Sequence, residues 1–194
     1  MNPQDTRALI VGITGASGAP YARRLLHVLA AEDVPLHVVA SAAARQVYSL
    51  EIGRPLEEDL PDQAVLHDER DLAAPVASGS FPARGMVIVP CTMGTLAAVA
   101  HGISGNLLHR AADVCLKERR RLVVVPRETP LHRIHLENML AVTDAGGIVL
   151  PAMPGFYHRP HTVDELVDFV VARVLDQFGI AQNLIPPWTG DFSS

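Results

Sequence analysis

The sequence has 194 residues, 48% of them apolar and 19% charged, which is a globular balance that excludes a disordered chain, and at roughly 150 residues per domain it fits one domain. Sixteen Lys and Arg against 21 Asp and Glu give a net charge of -5, which excludes a general electrostatic attraction to nucleic acid and makes any phosphate site a local one. The 2 cysteines cannot build a disulfide framework, and no stretch approaches the ~18 apolar residues of a membrane span, so the expectation is a cytoplasmic protein that does not enter a membrane.

Residues 8–13 form an unbroken apolar run, the pattern of a strand buried on both faces. A glycine-rich turn follows, and then Leu25, Leu26 and Leu29 recur at helical spacing between Pro20 and Ala31. A second strand is expected from Pro35 to Ala40, with Ser41 as N-cap of a helix reaching about Ile52. Residues 53–77 mix prolines and glycines with acids and read as a surface excursion, its best strand candidate being 64–66. Met86 to Pro90 reads as another buried strand, followed by helices from about Thr92 to His101 and from Asn106 to Arg119. Leu122 to Val125 is a strand, Pro130 to Ala145 a helix and Gly147 to Leu150 a short strand, and Thr162 caps a last amphipathic helix ending at Phe178. Strands alternating with helices predict a single-domain α/β fold over 1–194: a Rossmann-like (flavodoxin-like) αβα sandwich with a mainly parallel sheet, and residues 1–7 and 189–194 as flexible tails.

The first turn, Gly12-Ile13-Thr14-Gly15-Ala16-Ser17-Gly18, brings backbone N–H groups and a helix N-terminus together, so it either cradles a phosphate or is a tight corner with Ser17 as a plain N-cap. The spacing is not GxGxxG, and the second strand ends at Ser41 instead of a ribose-gripping carboxylate, which disfavours NAD; the absence of GK[ST] excludes a Walker A loop. Arg110 and Lys117 are seven apart and share a helix face, where two cations can hold one phosphate or stand solvated. Arg119, Arg120 and Arg121 read as solvated charges, whereas Arg127 ends a buried strand, where ligands of this architecture bind. The nine histidines show no HExxH spacing, no DDxxD motif occurs, and Cys91 reads as a packing residue, so no metal site is expected.

GITGASG at the first turn, ASGSF (77–81), VPCTMGTLAAVAHGISGNLLHRAADVCLKERR (89–120), VPRETPL (125–131), HLENM (135–139) and PGFYHRP (154–160) together resemble the UbiX flavin prenyltransferase family from about residue 8 to Trp188. The resemblance implies transfer of a dimethylallyl group from dimethylallyl monophosphate to reduced FMN without a metal. The prenylated FMN would serve a UbiD-type decarboxylase, and the enzyme would be a homo-oligomer, the dodecamer of the family. It further implies that Thr14, Gly15, Ala16, Ser17, Ser41, Thr92, Thr95 and Arg127 bind the flavin. Arg110, Lys117, Tyr157 and Arg173 would hold the donor phosphate, and Glu51 and Glu128, with Ser17, would stand at the chemistry. Thr92 replaces the Ser common in the family, and Leu72 lies where some relatives carry Trp. Apolar residues of the 96–99 helix are expected to be exposed and covered by neighbouring subunits. The related cysteine decarboxylases use an early catalytic His and a PASANT-type motif, neither of which is present; a mere flavin carrier would need neither Glu128 nor a second anion site.

Overall fold

The computed structural model describes residues 7–188 and 190; most of the two expected tails lies outside the described residues. Six strands, β1 (Ala8–Ile13), β2 (Leu36–Ala40), β3 (Ala64–His67), β4 (Ala83–Cys91), β5 (Arg121–Pro126) and β6 (Ile148–Val149), form one sheet in the order β3-β2-β1-β4-β5-β6. Every pairing is parallel. This is the doubly wound order whose direction reverses between β1 and β4, so the crevice outside the carboxyl ends of those two strands is where a ligand is expected.

Helices α1 (Ala19–Ala31), α2 (Ala42–Ile52) and α6 (Val163–Gln177) cover one face, packing Leu25, Leu26, Leu29, Tyr48, Val170 and Val174 against Leu9, Val11 and Val87. On the other face α3 (Met93–Ala100), α4 (Leu107–Lys117) and α5 (Arg133–Asp144) enclose Ile10, Met86 and Ile88 with Leu96, Leu108, Cys115 and Val142. Both faces are buried, which is why the strands read as continuous apolar runs.

Three expectations change. The fourth strand is longer than Met86 to Pro90: Ala83 to Gly85 carry no apolar run of their own, yet Ala83 pairs with β1 and Gly85 with both β1 and β5. The α5 helix begins at Arg133 rather than Pro130, since His132 is still extended (φ -115°, ψ 171°). Leu96, Ala98 and Val99 are not exposed: they lie in the chain's own core, and the solvent-facing apolar side chains include instead Ile134, Leu136 and Leu140 on α5. The acidic excursion contributes β3 as an edge strand and is tied down at Asp59, whose buried carboxylate accepts hydrogen bonds from Arg23 Nε (2.6 Å) and the Tyr48 hydroxyl (2.8 Å).

Candidate active site

The switch point is fastened by Thr14, which ends the β1 run and is 3% exposed. Its hydroxyl donates to the Pro90 carbonyl (2.7 Å) and accepts from the Thr92 amide (2.8 Å), joining the ends of β1 and β4 through one side chain. The Thr14 amide also donates to the Pro90 carbonyl (3.2 Å), so backbone and side chain together clamp the two strand ends. Gly15 is required by close approach: a Cβ there would stand 2.6 Å from the Ala43 Cβ at the start of α2. Ala16 is buried beside it and Ser17 is exposed. Gly18, at φ 128°, turns the chain into α1 in a conformation that L side chains rarely adopt.

The N-terminus of α1 carries an anion. Glu51, near the end of α2, accepts hydrogen bonds from the Gly18 amide (2.9 Å) and the Ala19 amide (2.7 Å) through one oxygen, Oε2. Burial alone would raise the Glu51 carboxyl. Hydrogen bonds from the Ser17 side chain and the two amides, with the nearby Arg127 charge, outweigh it and hold the group below the usual glutamate range. Arg127, following β5, donates from Nε to the Ser17 carbonyl (2.9 Å), while its own amide donates to the Cys91 carbonyl (3.3 Å). Ser17, Glu51 and Arg127, spread over 110 residues of sequence, thus meet at one helix end.

Two further helix starts open on the same sheet edge. Ser41 caps α2 by accepting from the Ala44 amide (3.1 Å), and Thr92 caps α3 by accepting from the Thr95 amide (3.2 Å) while donating to the Thr95 hydroxyl (3.0 Å). Glu69 accepts from the Ala42 amide (2.9 Å), a contact across 27 residues that no periodicity announces and that the sequence reading missed. Amides, hydroxyls and a guanidinium around a crevice floored by a glycine turn without a Cβ fit the phosphate and polar ring edge of FMN. Cys91 is fully buried next to them, and burial pushes its thiol up to about 12, so it is a packing residue here and not a nucleophile. Among the described residues no group of three metal-ligating side chains occurs.

The remaining expected residues are not all brought to this edge. Glu128 lies next to Arg127, exposed, and accepts from the Thr129 amide (3.0 Å). Lys117 ends α4 four residues before β5 begins, so it stands at the amino edge, a strand length of about 20 Å from Arg127. There it pairs with Glu118 beside Gly79. Arg110, two turns earlier on α4, donates to the Ala77 carbonyl (3.1 Å) and pairs with Asp113 (2.7 Å). Arg173 is one turn from the end of α6, whose last carbonyl, on Gln177, accepts from Arg121 at the start of β5; it too is toward the amino edge, but on the opposite sheet face from Lys117. It pairs with Asp176 (3.0 Å) and lies over Phe169 (5.9 Å), whose ring also meets Tyr157 (5.8 Å) and His158 (5.5 Å). Arg173 Nε and both ring nitrogens of His158 are buried without hydrogen-bond partners. An anion reaching them would therefore bind at a desolvated spot. With a sheet between helices each about 10 Å thick, Lys117 and Arg173 of one chain cannot grip one phosphate. The site residues form three groups: Ser17/Glu51/Arg127/Glu128, Arg110/Lys117, and Tyr157/Arg173.

A model of the Flavoprotein family matches residues 2–175. The flavin prenyltransferase UbiX of Deinococcus radiodurans is 52% identical over 189 residues, spanning 97% of each chain. Among solved structures, AnUbiX (PadA1) in complex with FMN and dimethylallyl pyrophosphate superposes with a TM-score of 0.92 at 44% identity, over 95% of this chain and 98% of that one. A dodecameric FMN-dependent UbiX-like decarboxylase from Escherichia coli superposes at 0.89 with 47% identity, over 94% of this chain and 100% of that one. The matched sequence blocks, the doubly wound sheet and these near full-length similarities together place the chain in the UbiX flavin prenyltransferase family.

Proposed function

We propose that the protein transfers a dimethylallyl group from dimethylallyl monophosphate to reduced FMN, giving prenylated FMN for a UbiD-type decarboxylase in the cytoplasm. The observation that carries this reading is the meeting of Glu51, Ser17 and Arg127 on the N-terminus of α1 at the switch point. FMN is the prenyl acceptor, and when bound it supplies the nucleophilic N5 and C6 positions. Thr14, Gly15, Ala16 and the hydroxyls of Ser17, Ser41, Thr92 and Thr95 line its place, and Arg127 lies at its edge. As the C1–O bond of the donor breaks, the electron pair would leave with phosphate and C1 would join N5, which gives up its proton; a proton added at C2 of the prenyl double bond would then make C3 electrophilic, and C3 would join C6, which loses its own proton. A phosphate leaving group needs cations and amides, and the protons leaving N5 and C6 and arriving at C2 need groups that can accept and donate them. Glu51, held ionised, and Glu128 are the carboxylates at that edge, and they move the protons. No step in this scheme requires a metal.

The separation of the three groups supports a homo-oligomeric enzyme of the dodecameric type, in which Arg110 and Lys117 of one subunit and Tyr157 and Arg173 of another complete the phosphate site of a third. The exposed Ile134, Leu136 and Leu140 of α5 suit burial between copies. The test is functional transfer. The purified protein is incubated anaerobically with reduced FMN and dimethylallyl monophosphate, and the small-molecule filtrate is added to an apo UbiD-type decarboxylase. Decarboxylation that depends on both substrates is expected; an inactive decarboxylase, with a filtrate from an authenticated relative active in parallel, would refute the assignment.

A further inference from the structure

A second, cationic cleft lies at the amino edge of the sheet, about one strand length from the site above. It is about 720 Å³ in volume and is lined by Arg7, Arg84, Arg119, Arg120 and Arg121. The chain carries 15 arginines and one lysine and is acidic overall, so a third of its arginines converge on one concavity. Among the described residues the one acid on its wall, Glu118, is paired with Lys117, and Arg7 and Arg84 have partners of their own. Arg120 and Arg121 are held by neutral acceptors: Arg120 donates to the Gly79 carbonyl (2.5 Å) and Arg121 to the Gln177 carbonyl. A carbonyl fixes the direction of a guanidinium without cancelling its charge. Arg119 sits at φ 56°, a left-handed backbone that costs a non-glycine residue energy and that projects successive arginines from one tight turn between α4 and β5. Phe178 and Leu116 add an apolar wall.

Guanidinium forks, unlike ammonium groups, match the oxygens of a phosphate pairwise, and several of them in a concave wall suit a ligand with more than one phosphate. We propose that this cleft binds a small polyphosphate anion, of the pyrophosphate or nucleoside polyphosphate class, at a place distinct from the prenyl-transfer site. Its position beside Lys117 and Gly79 puts such a ligand next to a residue of the proposed donor-phosphate set, so occupancy would be felt by prenyl transfer. The Phe178 wall favours a ligand with a flat apolar body over bare pyrophosphate.

The test is calorimetric titration of the assembled, FMN-saturated protein with inorganic pyrophosphate and with ADP, at low and at physiological salt. Binding of both is expected, tighter for ADP and weaker at high salt, because the cleft is open to solvent. The double variant Arg119→Gln/Arg121→Gln should bind at least about tenfold more weakly, since each lost charge-assisted contact is worth that order. Arg133→Gln on the exposed surface of α5 controls for net charge and should leave binding unchanged. Arg173→Gln, which lesions the donor site, should leave in place the binding component that the cleft variant loses. No binding by the wild-type protein at millimolar ligand, or equal binding by the cleft variant, overturns the proposal. Loss of binding in Arg173→Gln alone would assign the anion to the donor site and likewise overturn it. Prenyl transfer that fails while cleft binding persists would refute the proposed function and leave the cleft standing.

Discussion

Lys117 and Arg173 lie on opposite faces of the sheet, on helices whose axes are separated by about 20 Å, so the two can act on one phosphate only if they come from different subunits. In the proposed site Lys117→Ala and Arg173→Ala would each remove a charge-assisted hydrogen bond to the donor, worth about 1.5–3 kcal/mol, or about 10- to 100-fold in kcat/KM. Both side chains are near 40% exposed (44% and 40%), so neither change should unfold the protein. When the two variants are co-expressed with different tags and mixed oligomers are isolated by both, a site draws its Lys117 and its Arg173 independently. At equal mixing about a quarter of the sites then receive both intact residues, and the mixed oligomer should recover about a quarter of wild-type activity. Were both residues taken from one chain, no mixed site could be intact and the activity would equal the mean of the parents. Steady-state prenylation rates at matched flavin occupancy distinguish the two, and activity at the parental mean would refute the shared-site reasoning.

Glu128→Gln should retain FMN and slow prenyl transfer by at least about 10²-fold, read by stopped-flow absorbance under anaerobic conditions; full-speed turnover would reduce Glu128 to a surface residue. Gly15→Ala places a Cβ 2.6 Å from Ala43 and should cost about 1–3 kcal/mol and weaken flavin retention, measured by thermal unfolding and equilibrium dialysis. Glu51→Gln keeps an acceptor for the α1 amides but loses the charge, about 1 kcal/mol or about 2–4 °C in Tm for the flavin-free protein near pH 7. The folded-state carboxyl is depressed, so its stabilisation is complete above the unfolded glutamate value and disappears as pH falls through the folded one; the Tm gap between wild type and variant should therefore close in acid. A gap that persists unchanged below pH 3 would contradict the ion–helix account.

The strands with unbroken apolar runs, β1 and β5, and the caps at Ser41 and Thr162 were legible because burial on both faces and N-cap chemistry leave local marks. Ser17, Glu51 and Arg127 could be picked out through the family resemblance, but their meeting at one helix end is a tertiary fact carried by bonds spanning 32 to 110 residues. The burial of Leu96 and Val99 was misjudged because α3 is apolar all round, with no polar face to say which side meets water. Similarly, Asp59 and Glu69 read as solvated acids in a charged stretch, and only the folded chain shows one buried under Tyr48 and the other on the first amide of α2. The seven-residue spacing of Arg110 and Lys117 gave their shared face correctly and could not reveal that Arg173 lies beyond the sheet.

The most direct measurement is the mass of the flavin itself. The protein is incubated anaerobically with reduced FMN and dimethylallyl monophosphate, the flavin is released by denaturation, and its mass is determined beside a reaction without donor. The account predicts a flavin heavier by one five-carbon prenyl unit, formed only with the wild-type protein and donor together and strongly reduced in Glu128→Gln. FMN recovered at unchanged mass, from protein shown to be folded and flavin-bound, would contradict it.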